Sequence, residues 1–594
     1  MEHEAGRVSQ KTAAVIVAAI VVLACFASLL YYEESDESYG PSSFPSAVSA
    51  ESREVPLAAD ASDEFDEILN DLASALSNSS YSASTMADEI LEAYNYALQL
   101  IEWKTWAMIN YYEDPDNYSD EYESWSVLAS TAINDTFAVV GEALDGDCAD
   151  TVEKAAKLVG HSANYFRSFT TTSDEELTLL AEESALETAY YAVLATDYTV
   201  TYNDKEWTYD DVVADDSLTS EEYEDLIGLI YDAMMYDAAA IYIDLVGVRN
   251  DLAVIYGYEN YIDYAYAEVY DRDYEASDTS GLLDVVYNLY QLYAVAEELI
   301  AEDPTLDESY ADWLEDLTHD EKVSLMGDVV SGVDPDGNLY SLLEYMEENE
   351  LLYIDNTGNV NSSIGFTSTL YLEDSAVIFV SGYTGWNSFS TIMHEFGHAS
   401  NTCLNANRTS CMDVKEIHSQ GMEALLWAGA EDYIGETGLA MAVSAISDNA
   451  QSLISITLMS QFEIQAFYLE ADGTELTVSM LSELYQSITA STGLKYKTSY
   501  DPGLIWTLTR NMYTSSGYMV SYVTSGLNML EIFAMAVDDY GEASEAYLKL
   551  LYQEDVDGYT DAVKKAGLSN MLKTSNARSA IQAAADALEK LASS

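Results

Sequence analysis

The segment STIMHEFGHASN, residues 390 to 401, holds two of the six histidines in a chain of 594 residues. Apolar residues recur through it at helical spacing, which predicts a helix. Residues four apart lie on one face of a helix, so His394 and His398 can aim two imidazoles at one point, with Glu395 beside it. This is the HExxH arrangement, in which two neutral imidazoles bind Zn²⁺ and the glutamate handles a proton. The segment therefore predicts a metal site on a helix.

A catalytic zinc site needs a third protein ligand. Downstream, MDVKEIHSQGMEALLWAGA, residues 412 to 430, is again helical in pattern. Glu416 and Glu423 are seven residues apart and face the same way, whereas His418 lies about 200° around the helix from Glu416. The segment turns apolar at ALLWAGA, which predicts buried carboxylates, and a buried carboxylate needs a partner such as a cation. On spacing alone, either glutamate remains a candidate ligand, and His418 competes with them.

The chain carries 105 Asp and Glu against 22 Lys and Arg, a formal net charge of -83. So acidic a surface repels nucleic-acid phosphates and anionic lipid headgroups, which excludes nucleic acid as a main partner. The balance is typical of a protein kept soluble by its charge, in a salty or extracellular medium where counterions screen the self-repulsion.

The fold is predicted to be mainly α. A hydrophobic content of 49% is ordinary for a globular protein, and only 7 prolines beside 48 tyrosines favour long helices with aromatic packing. Helical spacing recurs along most of the sequence from about residue 62 onward. The exception is GFTSTLYLEDSAVIFVSGY, residues 365 to 383, which predicts two short strands just before the histidine segment. The expectation is a helical protein with a small β-sheet beside the candidate site.

The N-terminus predicts a membrane segment. Arg7 and Lys11 precede an apolar run of about 19 residues, Thr12 to Leu30, and a serine-rich acidic stretch follows. That length suffices for a membrane span and exceeds a usual cleavable signal core. Basic residues before the run and acidic ones after it place the N-terminus in the cytoplasm and the remainder outside. We expect a signal-anchor, with a cleaved signal peptide as the alternative.

Three cysteines, Cys148, Cys403 and Cys411, follow the N-terminal run, too few for a disulfide framework. Cys403 and Cys411 could pair in an oxidising compartment and brace the loop after the histidine helix. Pairing and two free thiols are both left open at this point.

Four segments together resemble one family of zinc peptidases. AVIFVSGYTGWNSFSTIMHEFGHA (376 to 399), followed by EIHSQGME (416 to 423), is similar to the oligoendopeptidase F and thimet oligopeptidase family. RNDLAVIYGYENYIDYAYAEVYDRDY (249 to 274) is similar to the segment that opens the family's catalytic domain. RNMYTSSGYMVSYVTSGLNMLEIFAMA (510 to 536) is similar to its tyrosine-rich C-terminal motif. The resemblance runs roughly from residue 205 to 570 and implies a helical shell around a deep channel, with the small sheet near the zinc.

By position, the resemblance also implies roles. His394, His398 and Glu416 match the ligands of one Zn²⁺ per chain. Glu395 matches the general base, and Glu423 matches an acid that orients a ligating histidine.

In the tyrosine-rich motif, Tyr518 matches the residue that donates to the oxyanion, and Tyr522 matches a tyrosine that contacts substrate. The family usually has a histidine seven residues before the first tyrosine, whereas this chain has Asn511 there. An asparagine amide still donates a hydrogen bond but carries no charge. We therefore expect weakened or altered transition-state stabilisation with zinc binding retained.

Composition and resemblance together predict five parts. They are a cytoplasmic N-terminus (1–12), a transmembrane signal-anchor or signal peptide (13–32), a flexible stalk rich in Ser, Glu and Pro (33–60), an N-terminal helical domain (61–204) and a zinc metallopeptidase catalytic domain (205–594). The expected location is the cell membrane with the catalytic domain outside the cytoplasm, or the medium if the N-terminal segment is cleaved.

The expected function is zinc-dependent hydrolysis of short peptides, because a deep channel admits peptides and excludes folded proteins. The strand around Val377 to Ser381 could bind the peptide backbone as an added strand. Two alternatives stay open. A zinc carboxypeptidase of related helical fold shares HExxH and a downstream Glu followed by Ser-Gln. A surface protein could also keep the zinc fold as a binding module, an alternative that Asn511 supports.

Overall fold

The computed structural model describes residues 53–170, 173–215, 217–306, 317–354, 364–382, 385–405, 411–435, 437–493, 500–553, 556 and 558–593. The predicted cytoplasmic N-terminus, the membrane segment and most of the stalk lie outside these residues. The first described helix begins at Ala58, three residues ahead of the position at which the helical part is predicted to start.

Helices make up most of the described chain, as predicted. In chain order they are α1 (Ala58–Leu76), α2 (Ala83–Glu113), α3 (Pro115–Ala143), α4 (Ala149–Leu158), α5 (Ala163–Ser168), α6 (Asp174–Leu194), α7 (Tyr209–Ala214), α8 (Ser220–Ile255), α9 (Tyr261–Tyr264), α10 (Val286–Glu302), α11 (His319–Val333), α12 (Asn338–Glu348), α13 (Gly385–Leu404), α14 (Met412–Ala428), α15 (Ala430–Ile434), α16 (Thr437–Ala471), α17 (Val478–Ser491), α18 (Asn511–Thr514), α19 (Met519–Asp538), α20 (Tyr540–Leu551), α21 (Tyr559–Ala566) and α22 (Thr574–Ala592). A π-helical turn (Ala265–Val269) and 3₁₀ segments (Ala276–Val285, Pro304–Leu306, Ile505–Leu508) join some of them.

Local sequence explains where several helices start. Thr219 accepts a hydrogen bond from the backbone N–H of Glu222, and the Glu222 carboxylate accepts one from the backbone N–H of Thr219. Thr318 and Glu321 make the same reciprocal pair ahead of α11. These side chains satisfy N–H groups that the first turn of a helix leaves unpaired.

Two small sheets interrupt the helices. Strands β1 (Val200–Tyr202) and β2 (Lys205–Trp207) form an antiparallel hairpin. Strands β3 (Leu352–Tyr353), β4 (Ile364–Leu370) and β5 (Ser375–Ser381) form a second sheet in the order β3–β5–β4.

The second sheet corrects one prediction. Strand β5 pairs antiparallel with β4 along its whole length and parallel with β3 at residues 378 and 379. It is therefore the inner strand, and the proposal that its segment Val377 to Ser381 binds a peptide as an added strand is wrong. Of the two outer strands of this sheet, β3 has two residues and β4 has seven. Strand β4 also packs against α13, so it is the edge beside which a peptide could pair near the candidate site.

Two large hydrophobic cores organise the helices, and a third, small core of Trp207, Val212, Leu226 and Ile230 packs β2 and α7 against the start of α8. Helices α1 to α5 share the smaller of the two large cores, which also contains Tyr371 from the turn between β4 and β5. The larger core includes α6 and the elements from α8 onward. Helix α2 contributes to both, since Trp106 and Ile109 belong to the larger one. The N-terminal helices thereby pack over the sheet, where Thr105 contacts Ser368 through their hydroxyls at 2.9 Å.

Two helices among the described residues, α8 and α19, are long and apolar enough to cross a membrane by length and composition. In α19 the most apolar stretch is 78% buried inside the fold, and in α8 it is 39% buried. A core helix meets the same two criteria, so length and composition alone do not identify a span in either.

Of the two outcomes left open for Cys403 and Cys411, the structure shows the unpaired one, since no disulfide joins them. Cys411 is fully buried just ahead of α14, and burial raises the pKa of its thiol.

Candidate metal centre

Helix α13 carries the HExxH residues, as predicted. It packs against β4 and β5, and its apolar side chains Ile392, Met393 and Phe396 are fully buried. The imidazoles of His394 and His398 lie side by side, with ring centroids 4.9 Å apart. Both rings are only partly buried, so they remain reachable from outside the core.

Helix α14 approaches α13 closely at Gly397. A Cβ atom at this position would lie 2.4 Å from the carbonyl oxygen of His418 and 2.7 Å from the Cα of Ser419. No real Cβ is tolerated at such distances, so the position requires glycine. The backbone-to-backbone approach brings the first turns of α14 beside the two imidazoles, and the glycine inside HEFGH thus sets the distance to the third donor.

Glu416 of α14 completes a cluster of three candidate ligands. Its Oε2 lies 3.9 Å from the Nε2 of both His394 and His398. One ligand atom from each of the three residues lies within 4.8 Å of the other two. His418 lies outside this cluster: it is fully buried, its ring nitrogens have no hydrogen-bond partner among the described residues, and burial lowers its pKa to about 3.

Glu423 binds the opposite side of the His394 ring. Its Oε1 lies 2.7 Å from His394 Nδ1, and its Oε2 accepts a hydrogen bond from Ser390 Oγ at 2.7 Å. The Ser390 oxygen in turn accepts one from the Trp427 indole N–H at 3.1 Å. A carboxylate on Nδ1 fixes the tautomer and leaves the Nε2 lone pair for a metal. Ser390 and Trp427, which sequence reasoning missed, extend this support.

Glu395 points toward strand β4. Its Oε2 accepts a hydrogen bond from Thr367 Oγ1 at 2.8 Å. Gly365 leaves room for the other oxygen, because a Cβ there would lie 3.3 Å from Glu395 Oε1 and 2.7 Å from Thr391 Cγ2. Sequence reasoning missed Thr367 and Gly365, since strand composition predicts pairing but not which residues face the helix.

The site is rich in negative charge. Within the described ranges, no lysine or arginine nitrogen lies within 4.0 Å of Glu395, Glu416 or Glu423. Burial raises the pKa of Glu395 to about 7, with His394 and Thr367 opposing it, and burial also raises the pKa of Glu416. Burial disfavours the charged His394 ring, but Glu423 and the other two carboxylates outweigh it and raise its pKa to about 9. Without a cation, protons balance this site.

The tyrosine-rich segment reaches the same cluster. The Tyr518 hydroxyl donates a hydrogen bond to Glu416 Oε1, and the Tyr522 ring lies edge-on to Tyr518 at 4.9 Å between centroids. Burial raises the pKa of Tyr522, and hydrogen bonds with the side chains of Tyr518 and Asn511 oppose the rise. The structure thus brings together all the predicted site residues, namely His394, Glu395, His398, Glu416, Glu423, Asn511, Tyr518 and Tyr522.

Comparison with known proteins places this geometry in a fold. No protein-family model matches the chain, and no curated protein matches its sequence. Solved structures do match. PZ peptidase A with inhibitor 2 superposes with a TM-score of 0.62 at 17% identity, over 90% of this chain and 98% of that one. Oligoendopeptidase F from Enterococcus faecium superposes with a TM-score of 0.52 at 15% identity, over 89% of this chain and 99% of that one. The chain therefore has the mainly helical fold of the oligoendopeptidase F peptidases.

Proposed function

We propose that this protein is a zinc-dependent endopeptidase that hydrolyses short peptides. The observation that carries the proposal is the convergence of His394, His398 and Glu416 beside Glu395. The fold supports it, because the structural neighbours named above are peptidases.

The residues present fit a zinc ion. Two imidazole nitrogens and one carboxylate oxygen form a donor set that Zn²⁺ takes in catalytic sites, where a fourth position stays open. In a tetrahedral site, bonds of about 2.0–2.2 Å separate two ligand atoms by about 3.4 Å. The Glu416 Oε2 lies 3.9 Å from the Nε2 of both His394 and His398, so a small side-chain adjustment brings all three donors onto one ion. Three carboxylates that make no ion pair with a lysine or arginine of the described ranges supply the charge that a divalent cation would balance.

Glu395 is placed to act as the general base. When bound, zinc supplies Lewis-acid chemistry, because it lowers the pKa of water toward about 7 and polarises a carbonyl. Thr367 holds one oxygen of Glu395, which leaves Oε1 to take a proton from the attacking water. A carboxylate in this position can accept that proton and return it to the leaving amine.

Tyr518 is placed to stabilise the oxyanion. Its hydroxyl donates to Glu416 Oε1, and the other oxygen of Glu416 faces the imidazoles. A donor in this position can shift to the substrate oxygen as negative charge develops there. Donors that face developing charge in the transition state lower the activation free energy of the reaction. Tyr522 hydrogen-bonds with the side chains of Tyr518 and Asn511. In this proposal Tyr522 contacts substrate, and Asn511 brings no positive charge to the site.

Strand β4 is the edge on which a peptide can bind. An extended peptide adds to an edge strand through backbone hydrogen bonds, and β5 lies on the other side of β4. Thr367, in the middle of β4, holds the base. A peptide bond beside this residue would therefore lie next to Glu395.

The N-terminal segment supports a location outside the cytoplasm. The apolar run Thr12 to Leu30 follows Arg7 and Lys11, an order typical of a membrane anchor whose C-terminal side is outside. Protease treatment of intact cells tests this location. The catalytic part should be degraded or found in the medium, and full protection would contradict the proposal.

Metal analysis beside a fluorescence-quenched peptide assay tests the activity. Wild type should bind one zinc and cleave, while Glu416→Ala should lose both metal and turnover. Zinc without turnover on a broad peptide library would favour the binding-module alternative, which Asn511 supports. Peptides blocked at both ends separate the remaining alternative, because a carboxypeptidase needs a free C-terminus.

A further inference from the structure

The tyrosine loop, residues 513 to 518, leads into α19 and ends at Tyr518. Because the Tyr518 hydroxyl meets Glu416, the course of this loop sets where the hydroxyl lies. Gly517 adopts a φ of +84°, which side chains other than glycine rarely tolerate. Gly517 therefore permits a tight turn here, and the backbone of the loop is hydrogen-bonded to buried side chains on several sides.

Glu463 of α16 binds the loop from one side. Its Oε2 accepts a hydrogen bond from the backbone N–H of Gly517 at 2.8 Å. The residue is 1% exposed. Burial raises the pKa of Glu463 to about 7, and the hydrogen bond from Gly517 and the nearby charges of Arg249 and Arg272 oppose the rise. Glu463 thus lies within reach of two buried arginines.

Arg272 binds the loop from another side. Its Nη1 donates to the carbonyl oxygen of Gly517 at 2.9 Å, and its Nη2 donates to Ser521 Oγ at 2.7 Å. Its Nε donates to Asp413 at 2.9 Å. Since Asp413 is three residues before Glu416 on α14, one guanidinium joins the tyrosine loop to the helix that carries the third candidate ligand.

Arg249 of α8 holds the beginning of the loop. Its Nη1 donates to Ser516 Oγ at 2.6 Å, and its Nη2 donates to the carbonyl oxygen of Tyr513 at 2.7 Å. The same guanidinium pairs with Glu183 and Glu187 of α6 at 2.6 and 2.7 Å. The loop is thereby tied to the N-terminal part of the chain.

Fully buried charged side chains such as these are not needed for stability alone. Replacing a buried ion pair with well-packed apolar residues is often neutral or stabilising, so the pairs add little to stability by themselves. Here the polar atoms of three buried charged side chains converge on one short loop. What they share is the loop that ends at Tyr518.

We propose that Arg249, Arg272 and Glu463 form a clamp that positions the Tyr518 hydroxyl against Glu416 and the reacting carbonyl. The inference rests on the proposed peptidase function and adds positioning residues to it. None of the three touches the candidate ligands themselves; they act through the loop.

Glu463 is the member to vary, because it binds the loop without pairing to α6 or α14. Glu463→Met removes the acceptor at similar volume, and Glu463→Gln restores it. We expect Glu463→Met to lower kcat about tenfold, with KM and bound zinc unchanged, since one oriented donor is misplaced. Glu463→Gln should recover most of the loss. The matched control is Glu531→Met on α19, away from the loop. It removes a carboxylate that accepts a hydrogen bond from the backbone N–H of Ser569.

A double-mutant cycle with Tyr518→Phe separates positioning from general damage. If Glu463 acts through Tyr518, Glu463→Met should cost less than about twofold in kcat once the hydroxyl is gone. An undiminished tenfold loss in that background, or the same loss in Glu531→Met, overturns the clamp. Should Glu463→Met fail to fold, Ser516→Ala, which removes the contact to Arg249, takes its place in the cycle.

Hydrogen exchange provides a readout that needs no turnover. The amide of Gly517 should exchange at least about tenfold faster in Glu463→Met than in wild type, because its acceptor is lost. If wild type has no peptidase activity, the proposed function is wrong, and hydrogen exchange at Gly517 then tests the clamp by itself. Unchanged exchange at Gly517 overturns the clamp even if the peptidase is active.

Discussion

Asp413 and Glu416 lie one turn apart on α14, and both side chains are buried. Asp413 faces the guanidinium of Arg272 at 2.9 Å. Although burial opposes it, this charge, together with hydrogen bonds, holds the pKa of Asp413 below its usual value. Glu416 faces two imidazoles at 3.9 Å, and burial raises its pKa. The two carboxylates differ in their partners and not in their depth.

This difference separates a complete charge pair from a site that is short of positive charge. Asp413 and Arg272 satisfy each other inside the chain. Glu416, with Glu395 and Glu423, has imidazoles where Asp413 has an arginine, so a proton or a cation must complete the group. Removing one carboxylate from each group should therefore have opposite consequences.

Glu395→Gln should have the largest effect of the changes considered. It should lower turnover and leave zinc binding unchanged. Glutamine keeps the shape and the hydrogen bond from Thr367 but cannot take a proton, and the loss of a general base costs about 10²–10⁴-fold. We expect cleavage of a quenched peptide to fall about 10³-fold with bound zinc unchanged. Glu344→Gln, exposed on α12, is the matched control. Unchanged turnover in Glu395→Gln would refute the mechanism.

Asp413→Asn should destabilise the fold more than any other change considered. It leaves the Arg272 guanidinium buried against a neutral amide, and breaking a buried ion pair in this way costs about 3–5 kcal/mol. We expect the free energy of unfolding in urea to fall by about 3 kcal/mol, equally with and without a chelator. A loss below about 1 kcal/mol, the value of an exposed pair, would erase the contrast with Glu416.

Glu102 is a third buried carboxylate with different partners. It accepts a hydrogen bond from the backbone N–H of Leu372 at 2.7 Å. It makes no ion pair within 4.0 Å in the described part of the chain. Burial raises its pKa from 4.5 to about 9. Between these values the folded state holds one more proton than the unfolded state, so stability falls as pH rises through this window. The slope is at most about 1.4 kcal/mol per pH unit.

Glu102→Gln should remove that slope. The gain in unfolding free energy over wild type should grow by about 2 kcal/mol between pH 6 and pH 8, as measured by urea denaturation at each pH. Glu121→Gln is the control, because Glu121 also accepts a backbone N–H, from Ala58 at 2.8 Å, but is only partly buried. A difference that stays constant with pH would show that Glu102 is ionised in the folded protein.

The effect of Glu416→Gln on the unfolding free energy should change sign between metal-free and zinc-loaded protein. In protein treated with a chelator, the variant loses a buried charge that has no arginine or lysine partner among the described residues, and we expect a gain of about 1 kcal/mol in unfolding free energy. With zinc present, the variant should lose the stabilisation that binding gives wild type. Asp413→Asn measured in parallel should be destabilised under both conditions. A Glu416→Gln variant destabilised without metal would contradict the idea of unbalanced charge.

Much of the site could be predicted from the sequence because part of its geometry is local. His394, Glu395 and His398 sit within one helical turn of each other, so their spacing alone predicts a shared face. Helix α13 and the sheet beside it are confirmed. The choice between Glu416 and Glu423 was not local, since both face the same way on α14. It depends on the crossing of two helices at Gly397.

Other features were beyond sequence reasoning for related physical reasons. The composition of residues 365 to 383 predicts two strands, but the position of β5 between β3 and β4 is set by partners distant in the chain. Whether Cys403 and Cys411 form a disulfide likewise depends on how α13 and α14 pack. Buried arginines such as Arg272 leave no periodic signal, and only their partners reveal them.

Thr367→Val should have the smallest effect on the site. Valine keeps the shape and strand preference of threonine but removes the hydroxyl that donates to Glu395 Oε2 at 2.8 Å. Loss of one hydrogen bond to a charged group is worth about 1.5 kcal/mol, so we expect kcat/KM to fall about tenfold as the base loses its orientation. Thr369→Val, two residues along the same strand, should leave kcat/KM unchanged. The unfolding free energy should fall by about 1–2 kcal/mol, because a buried carboxylate loses a donor, which is less than the loss expected for Asp413→Asn, and bound zinc should stay close to wild type. Equal losses in the two threonine variants would locate the effect in the strand and not in the base.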